Sequence, residues 1–424
     1  MATVSRVRTL PHRVAIWVRR HPGLFAFGAV CGPGLLAGLS DDDPAGITTY
    51  SILGADFGYR LLWVLLLSTV TLIVFHELGA RLGVVTGRGL TGLIRAQHGT
   101  RAAVTAAAVL VAANVGTTAA EFAGIAASLG LAGVTRYLSV PLAAVLVTTL
   151  VVKGSFRRVE HVLLALASVF VAYIVSGFLA HPDWNAAARG LVVPSLPLDR
   201  HALLVATATL GTTLAPWGLA FIQSYAVDKR LGPEDLRYER IDVFGGALLT
   251  GVIGFFVVIA CAATLHRQGQ SIHDARDAAV ALRPLAGSFA STLFAIGLLG
   301  AALLAAAVLP LSTAYSVSEA MGREGRVEGK PRDEPVFYGT YFAVTAVGAG
   351  IVLIPGAPLV PILFLTQAAN AILLLPLLIL MIVLARDRSL MGEYAATRCQ
   401  TGVLVGLTGV VALCTIGLAV FAFQ

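Results

Sequence analysis

Three consecutive carboxylates, Asp41–Asp43, are followed closely by Pro44 and Gly46. They lie between two apolar runs, 24–39 and 47–55, each shorter than the roughly 20 residues that a membrane helix needs. Pro44 removes a backbone donor and disfavours helix at the residue before it, so the pattern predicts one membrane helix broken at mid-depth. Acidic groups beside the carbonyls that a break frees are typical of a cation site, because hard cations prefer oxygen ligands.

The composition predicts an all-α polytopic membrane protein. Of 424 residues, 57% are hydrophobic and only 12% are charged, against roughly 25% charged residues in soluble domains. The net charge of +7 does not indicate nucleic-acid binding, because the basic residues follow the loops between spans. The four cysteines show no metal-ligand spacing, and no nucleophile–base pair or cofactor motif is visible. We therefore expect neither an enzyme nor a bound cofactor.

Apolar runs separated by charged loops predict about eleven transmembrane spans. The spans lie near 24–55 (broken), 60–80, 102–130, 136–153, 159–180, 201–228 (broken), 241–265, 288–320, 336–355, 358–385 and 402–423.

The positive charges alternate with these spans. When the loops are assigned to alternating sides, 23 of the 30 Lys and Arg residues fall on the side of the N-terminus and 7 on the other. The positive-inside rule then predicts a multi-pass protein of a bacterial-type inner membrane, with its N-terminus in the cytoplasm and its C-terminus outside.

A second break is expected five spans after the first, where Ala215-Pro216-Trp217-Gly218 interrupts the run 201–228. Breaks in spans 1 and 6 indicate two five-span repeats of inverted topology, with a site where the breaks meet. The predicted organisation is a basic cytoplasmic segment (1–23), repeat 1 (24–180), repeat 2 (201–385) and an extra eleventh helix (402–424).

At the first break, Asp43 is the expected metal ligand. Asp41 and Asp42 are expected to line a vestibule or to form structural pairs. The structural alternative for all three is capping of the second half-helix, whose N-terminus favours carboxylates.

Two further acidic residues lie inside predicted spans. Glu77, which follows His76 in span 2, and Glu121 in span 3 are candidates because intramembrane carboxylates are costly and commonly functional. The alternative is a structural glutamate that pairs with Arg81 or with a backbone group. Near the end of span 8, Glu319 and Arg323 are expected to form a surface pair.

Neutral oxygens complete the expected site. Thr212 or its carbonyl is expected to face the ion, and Trp217 to wall the cavity. In span 10, Gln367 and Asn370 are one turn apart and present oxygens either to a hydrated ion or to a neighbouring helix. The expected ligand set contains no sulfur, which suits a hard, partly hydrated cation such as Mg²⁺.

Three motifs resemble the NRAMP metal-ion transporters: Gly32-Pro33-Gly34, Asp43-Pro44 and the run from Ala80 to Gly87, Ala-Arg-Leu-Gly-Val-Val-Thr-Gly. The resemblance implies the leucine-transporter (LeuT/APC) fold with a 5+5 inverted repeat, alternating access and a substrate site between the breaks of spans 1 and 6.

The chain departs from the family pattern at several positions. The family's Asp-Pro-Gly-Asn is matched by Asp-Pro-Ala45-Gly46, so its ligand asparagine is a glycine here. Its Met-Pro-His is matched by Ala215-Pro-Trp217, and its acidic position in span 3 by Thr118, three residues before the matched glutamate. The span 10 glutamine is kept. This pattern is similar to that of the NRAMP-related magnesium transporters.

Loss of the thioether removes the soft ligand, and loss of the titratable groups weakens proton coupling. We therefore expect uptake of Mg²⁺, and also of Mn²⁺, by a monomer in the lipid bilayer without obligatory proton cotransport. A same-fold transporter of an organic solute such as an amino acid, or a non-transporting membrane sensor, is the alternative.

Overall fold

The computed structural model describes residues 33–153, 171–273, 275–323, 325 and 331–422. Within these ranges the chain forms helices joined by short turns, and no strand is present. The main helices are α1 (Pro33–Asp41), α2 (Pro44–Phe57), α3 (Leu62–Thr86), α4 (Leu90–Leu131), α5 (Arg136–Val152), α6 (Ala172–Leu179), α7 (Trp184–Val192), α8 (Arg200–Thr213), α9 (Pro216–Asp228), α10 (Leu236–Thr264), α11 (Ala290–Ala320), α12 (Pro335–Leu353), α13 (Leu359–Arg386) and α14 (Arg398–Ala422).

These helices follow the predicted spans. Spans 1 and 6 are helix pairs, α1–α2 and α8–α9, and span 5 is represented by α6, because most of 159–180 lies outside the described residues. The segment 1–23 also lies outside them. In the described part of the chain, eight helical stretches, with α8–α9 counted as one, are long and apolar enough to cross a membrane. Large apolar side chains such as Leu413 and Ile416 remain exposed on α14, as expected for surfaces that face lipid.

The first break is two residues long. Helix α1 ends at Asp41, and α2 begins at Pro44, whose missing N–H would have no partner in a first helical turn. Asp43 is the N-cap of α2, with φ −75° and ψ 171°. The predicted discontinuity is therefore confirmed, and it lies at the proline that predicted it.

Small residues hold α1 against α10. A Cβ on Gly34 or Gly38 would collide with the backbone of α10 at Val243 and Gly246, so the two helices can approach only at glycines. The Asp242 carboxylate accepts a hydrogen bond of 2.7 Å from the Gly34 N–H, an N-terminal donor of α1 that lacks a helical partner. This packing fixes the direction from which α1 reaches the break.

The second break separates α8 from α9 at Leu214 and Ala215. Ala215 has ψ 141° and makes no side-chain cap, and Pro216 again opens the following helix. A Cβ on Gly211, one turn before the break, would overlap the Gln367 carbonyl of α13. The close contact of α8 with α13 therefore depends on this glycine.

Helix α4 supports both breaks and contains a kink. Gly99, with φ +85°, divides it into a short first segment and the long segment that was predicted as span 3. The long segment packs against α11, α12 and α13. A Cβ on Gly124 would overlap the ring of Pro44, so α4 passes directly behind the first break.

At the C-terminal end of α11, Glu319 does not form the predicted surface pair with Arg323. Its carboxylate accepts hydrogen bonds from Ser224 Oγ of α9 (2.7 Å) and Thr91 Oγ1 of α4 (3.1 Å). The expectation was wrong because the start of α4 places free donors and a positive helix end beside this carboxylate.

Candidate metal site between the two broken helices

Three oxygen atoms surround Gly46 in the first turn of α2. A Cβ at this residue would lie 2.6 Å from the Asp41 carbonyl oxygen, 3.2 Å from Asp43 Oδ1 and 3.4 Å from Thr212 Oγ1. These atoms come from the end of α1, the N-cap of α2 and the last turn of α8. Oxygen atoms from both broken helices therefore converge on this glycine.

Asp43 has two functions at this point. Its Oδ1 atom accepts a hydrogen bond of 2.5 Å from the Gly46 N–H, which caps α2, and its side chain is 4% exposed. The capping role that was the structural alternative is thus present. It does not exclude cation binding, because a carboxylate has about four acceptor positions and one cap uses only one of them.

The carboxyl group of Glu121 lies beside that of Asp43. Glu121 is fully buried in α4, one turn before the glycine that packs on Pro44. Two neighbouring buried carboxyl groups attract positive charge, whether as a proton or as a cation. Sequence reasoning placed Glu121 near the site, and the structure brings it to the break itself.

The second break contributes walls and main-chain groups. Ala215 is 2% exposed and Trp217 is 1% exposed. The Trp217 carbonyl accepts a hydrogen bond of 2.8 Å from Ser312 Oγ. The centroid of the Trp217 ring lies 6.2 Å from that of the Phe221 ring. Ala45 of the first break is buried as well, and its carbonyl accepts a hydrogen bond from Thr49 Oγ1.

Gln367 and Asn370 form a polar seam between α13 and α4. The Asn370 amide donates to Gln367 Oε1 (3.0 Å) and to Thr117 Oγ1 (2.9 Å). Gln367 reaches the second break mainly through its backbone carbonyl, which faces Gly211. Thr118 of α4 faces Gly348 of α12. A Cβ added at Gly348 would lie 2.7 Å from the Thr118 methyl group.

Glu77 is not available as a metal ligand. One of its oxygens lies 2.8 Å from Arg240 Nε, and the other lies 3.3 Å from Arg81 Nη2. The expectation that Glu77 binds the ion is corrected here, because two guanidinium groups neutralise its charge. The partner from α10 could not be read from the sequence spacing, whereas Arg81 at i+4 was the structural alternative.

The carboxylates do not form a dedicated metal cage. Among the described residues, no group of three or more His, Cys, Asp or Glu side chains is arranged to hold a metal ion. Asp41 and Asp42 are each 1% exposed, and their carboxylate oxygens have no hydrogen-bond partner in the described ranges. A cation at the break would be held by Asp43 together with neutral oxygens. The sequence predicts that the break frees carbonyls, but it does not single out the Asp41 carbonyl, which the end of α1 leaves without a helical partner.

Comparison with known proteins agrees with this architecture. The family model described as "Natural resistance-associated macrophage protein-like" matches residues 34–421. The chain belongs to the Nramp family. It is 30% identical over 387 residues to the "Divalent metal cation transporter MntH" of Burkholderia ambifaria, a match that covers 89% of this chain and 85% of the relative. The protein of the same description from Acidiphilium cryptum is 32% identical over 66% of each chain.

Solved structures show the fold of this Nramp chain. A manganese transporter of Eremococcus coleocola superimposes with a TM-score of 0.74 at 19% identity, covering 92% of this chain and 85% of the other. MhsT in complex with L-phenylalanine gives a TM-score of 0.61 at 14% identity, covering 92% and 98%. The predicted leucine-transporter fold with broken helices 1 and 6 is therefore confirmed.

Proposed function

We propose that this Nramp-family membrane protein takes up divalent metal ions by alternating access, with Mg²⁺ as its main substrate and Mn²⁺ also accepted. The relatives named as divalent metal cation transporters support the class of substrate. The proposed ligands are Asp43, the Asp41 carbonyl and Thr212 Oγ1, which converge on Gly46, together with Gln367; Ala215 lines the site from the second break.

One observation carries the choice of Mg²⁺. The atoms that converge on Gly46 are a carboxylate, a carbonyl and a hydroxyl oxygen, and the second break adds the methyl group of Ala215 where the family has a thioether. Hard oxygen ligands suit Mg²⁺, whereas sulfur favours softer transition metals. Because Mg²⁺ sheds water reluctantly, a few neutral oxygens and one carboxylate would hold it with part of its hydration shell.

The same residues argue against obligatory proton cotransport. Thr118 and Trp217 occupy the positions where the family carries titratable groups, and neither side chain can carry a proton across. The membrane potential supplies roughly 2.3 kcal/mol per elementary charge per 100 mV, and twice that for a divalent ion. Uptake driven by the potential alone is therefore sufficient for accumulation.

The topology that accompanies this function has the N-terminus in the cytoplasm of an inner membrane, two five-span repeats (24–180 and 201–385) and a monomeric chain. The distribution of Lys and Arg supports the orientation. Equivalent Pro residues that open α2 and α9 support the repeats.

The test is ion flux into proteoliposomes with a Mg²⁺ indicator and a pH dye inside. We expect Mg²⁺ uptake that follows an imposed potential, with no matching acidification of the lumen. Uptake that disappears when the proton gradient is removed would contradict the uncoupled mechanism. Transport of labelled amino acids without competition by metal would support the organic-solute alternative, and no flux of either kind would favour the sensor.

A further inference from the structure

A second group of buried polar side chains lies on the α1 side of the break, and the proposed mechanism does not use it. His76 of α3 is 1% exposed, and neither of its ring nitrogens has a hydrogen-bond partner among the residues that the structure describes. An imidazole in this state is costly to bury, because each unsatisfied polar atom loses its hydration. A bound ligand at the ring would offset that cost.

His76 faces the first turn of α9. A Cβ on Gly218 would lie 3.1 Å from His76 Nε2 and 3.8 Å from Asp41 Oδ1. The imidazole nitrogen and the carboxylate therefore border the same small space beside Gly218. Asp41 is as deeply buried as His76, and both of its carboxylate oxygens also lack a partner in the described ranges.

The position of His76 follows from how α3 packs. Gly79 and Gly83 lie on the same helical face, three and seven residues further on, and a Cβ on either would lie 3.3 Å from the Leu219 carbonyl or 2.6 Å from the Gln223 carbonyl of α9. Close glycine packing along this face holds the imidazole against the N-terminal turn of α9. Because Gly218 has no side chain, a small gap remains beside it, and both Asp41 and His76 border this gap.

We propose that Asp41 and His76 form a second divalent-metal position next to the break, used by transition-metal ions such as Mn²⁺ on their way past α9. Imidazole is the commonest protein ligand for metal ions in general and suits transition-metal ions better than Mg²⁺, and a carboxylate supplies the compensating charge. This position would bind Mg²⁺ poorly, because Mg²⁺ prefers oxygen ligands. The proposal rests on the proposed function in that it requires a divalent ion to enter the break.

The position gives the chain a nitrogen ligand that the Gly46 oxygens do not provide. Asp41 ends α1 and Asp43 caps α2, two residues further on, so an ion that leaves Asp43 towards α1 would pass close to the Asp41 carboxylate. The alternative is structural: the Asp41 charge favours the positive N-terminus of α9, and His76 only fills space.

Pulsed electron paramagnetic resonance of Mn²⁺ bound to the full-length protein separates these possibilities. We expect a ¹⁴N coupling from a histidine ligand in the wild type, replaced by a ¹⁵N coupling when the histidines are labelled. His76→Gln should lose the coupling and bind Mn²⁺ at least about 10-fold more weakly, while Mg²⁺ binding changes less than about two-fold. The matched control is His273→Gln, because His273 is exposed and far along the chain.

Absence of a nitrogen coupling in the wild type, or its persistence in His76→Gln, would overturn the proposal. If His76→Gln does not fold, Asp41→Asn is the second variant, and unchanged Mn²⁺ affinity in that variant would also overturn it. These outcomes are independent of the proposed function, which fails instead if Mg²⁺ uptake survives Asp43→Asn.

Discussion

The two helix breaks have the same backbone design and opposite chemistry. Each ends in an extended N-cap followed by a proline at the first helical position, Pro44 or Pro216. The first break is capped by the Asp43 carboxylate and carries two more buried acids, whereas Ala215 caps nothing at the second. The first break therefore supplies charge, and the second supplies walls and main-chain groups. Metal affinity should depend on the first, and selectivity among metals on the second.

The largest effect is expected from Asp43→Asn. Asparagine caps helices about as well as aspartate, so the start of α2 is kept while the charge is removed. We expect Mg²⁺ uptake in proteoliposomes to fall by roughly 100-fold or more, with little change in the thermal midpoint, since a buried divalent ion without a carboxylate is strongly disfavoured. Asp43→Ala is the matched variant, and it should cost about 1 kcal/mol of stability in addition. Full transport by Asp43→Asn would show that the acidic break only caps a helix.

A smaller loss is expected from Gly46→Ala, which tests the oxygen cluster directly. The new methyl group would lie 2.6 Å from the Asp41 carbonyl oxygen, so α1 or α2 must shift. Overpacking of this kind costs about 1–3 kcal/mol, and displaced ligands should lower Mg²⁺ affinity by roughly 10-fold.

The control for this substitution is Gly350→Ala in α12, where the added methyl group has nothing within 4 Å. That variant should be neutral or more stable by up to about 1 kcal/mol. Isothermal titration and thermal unfolding measure both quantities. Equal behaviour of the two alanine variants would contradict the cluster.

Ala215→Met tests the second break. It places a thioether at the second break, where the family pattern has one, and sulfur favours Mn²⁺ over Mg²⁺. We expect the ratio of Mn²⁺ to Mg²⁺ affinity to rise by roughly 10-fold relative to Ala215→Leu, which has a similar volume and no sulfur. Competition between the two ions for uptake gives this ratio. If the methionine and leucine variants have the same ratio, the second break does not select the metal.

The breaks themselves could be predicted because a proline beside polar residues inside an apolar run is hard to fit into a continuous membrane helix. Partners across helices could not be predicted in this way. Arg240 is 163 positions from Glu77, and Glu319 finds Ser224 and Thr91 on two other helices. Sequence spacing reports neighbours on one helix, such as Arg81, but contacts between helices depend on packing. The meeting of Thr212 with Gly46 was expected only from the idea that the two breaks share one site, not from sequence spacing.

The smallest effect distinguishes two neighbouring threonines at the end of α8. Thr212 Oγ1 faces Gly46 and has no hydrogen-bond partner among the described residues. Thr213 Oγ1 bonds with the Tyr50 hydroxyl (2.8 Å) and the Ser68 hydroxyl (3.1 Å), so it ties α8 to α2 and α3.

Thr212→Val should therefore lower Mg²⁺ affinity by about 3-fold and leave stability nearly unchanged, since one neutral ligand of modest strength is lost. Thr213→Val should do the reverse, because it leaves the buried Tyr50 hydroxyl unpaired at a cost of about 1–3 kcal/mol, whereas Ser68 keeps its bond to the Leu65 carbonyl. Titration calorimetry and thermal unfolding of both variants give a crossed pattern if ligand and scaffold are divided between adjacent residues. A parallel loss in both variants would mean that the end of α8 acts only as a structural support for the first break.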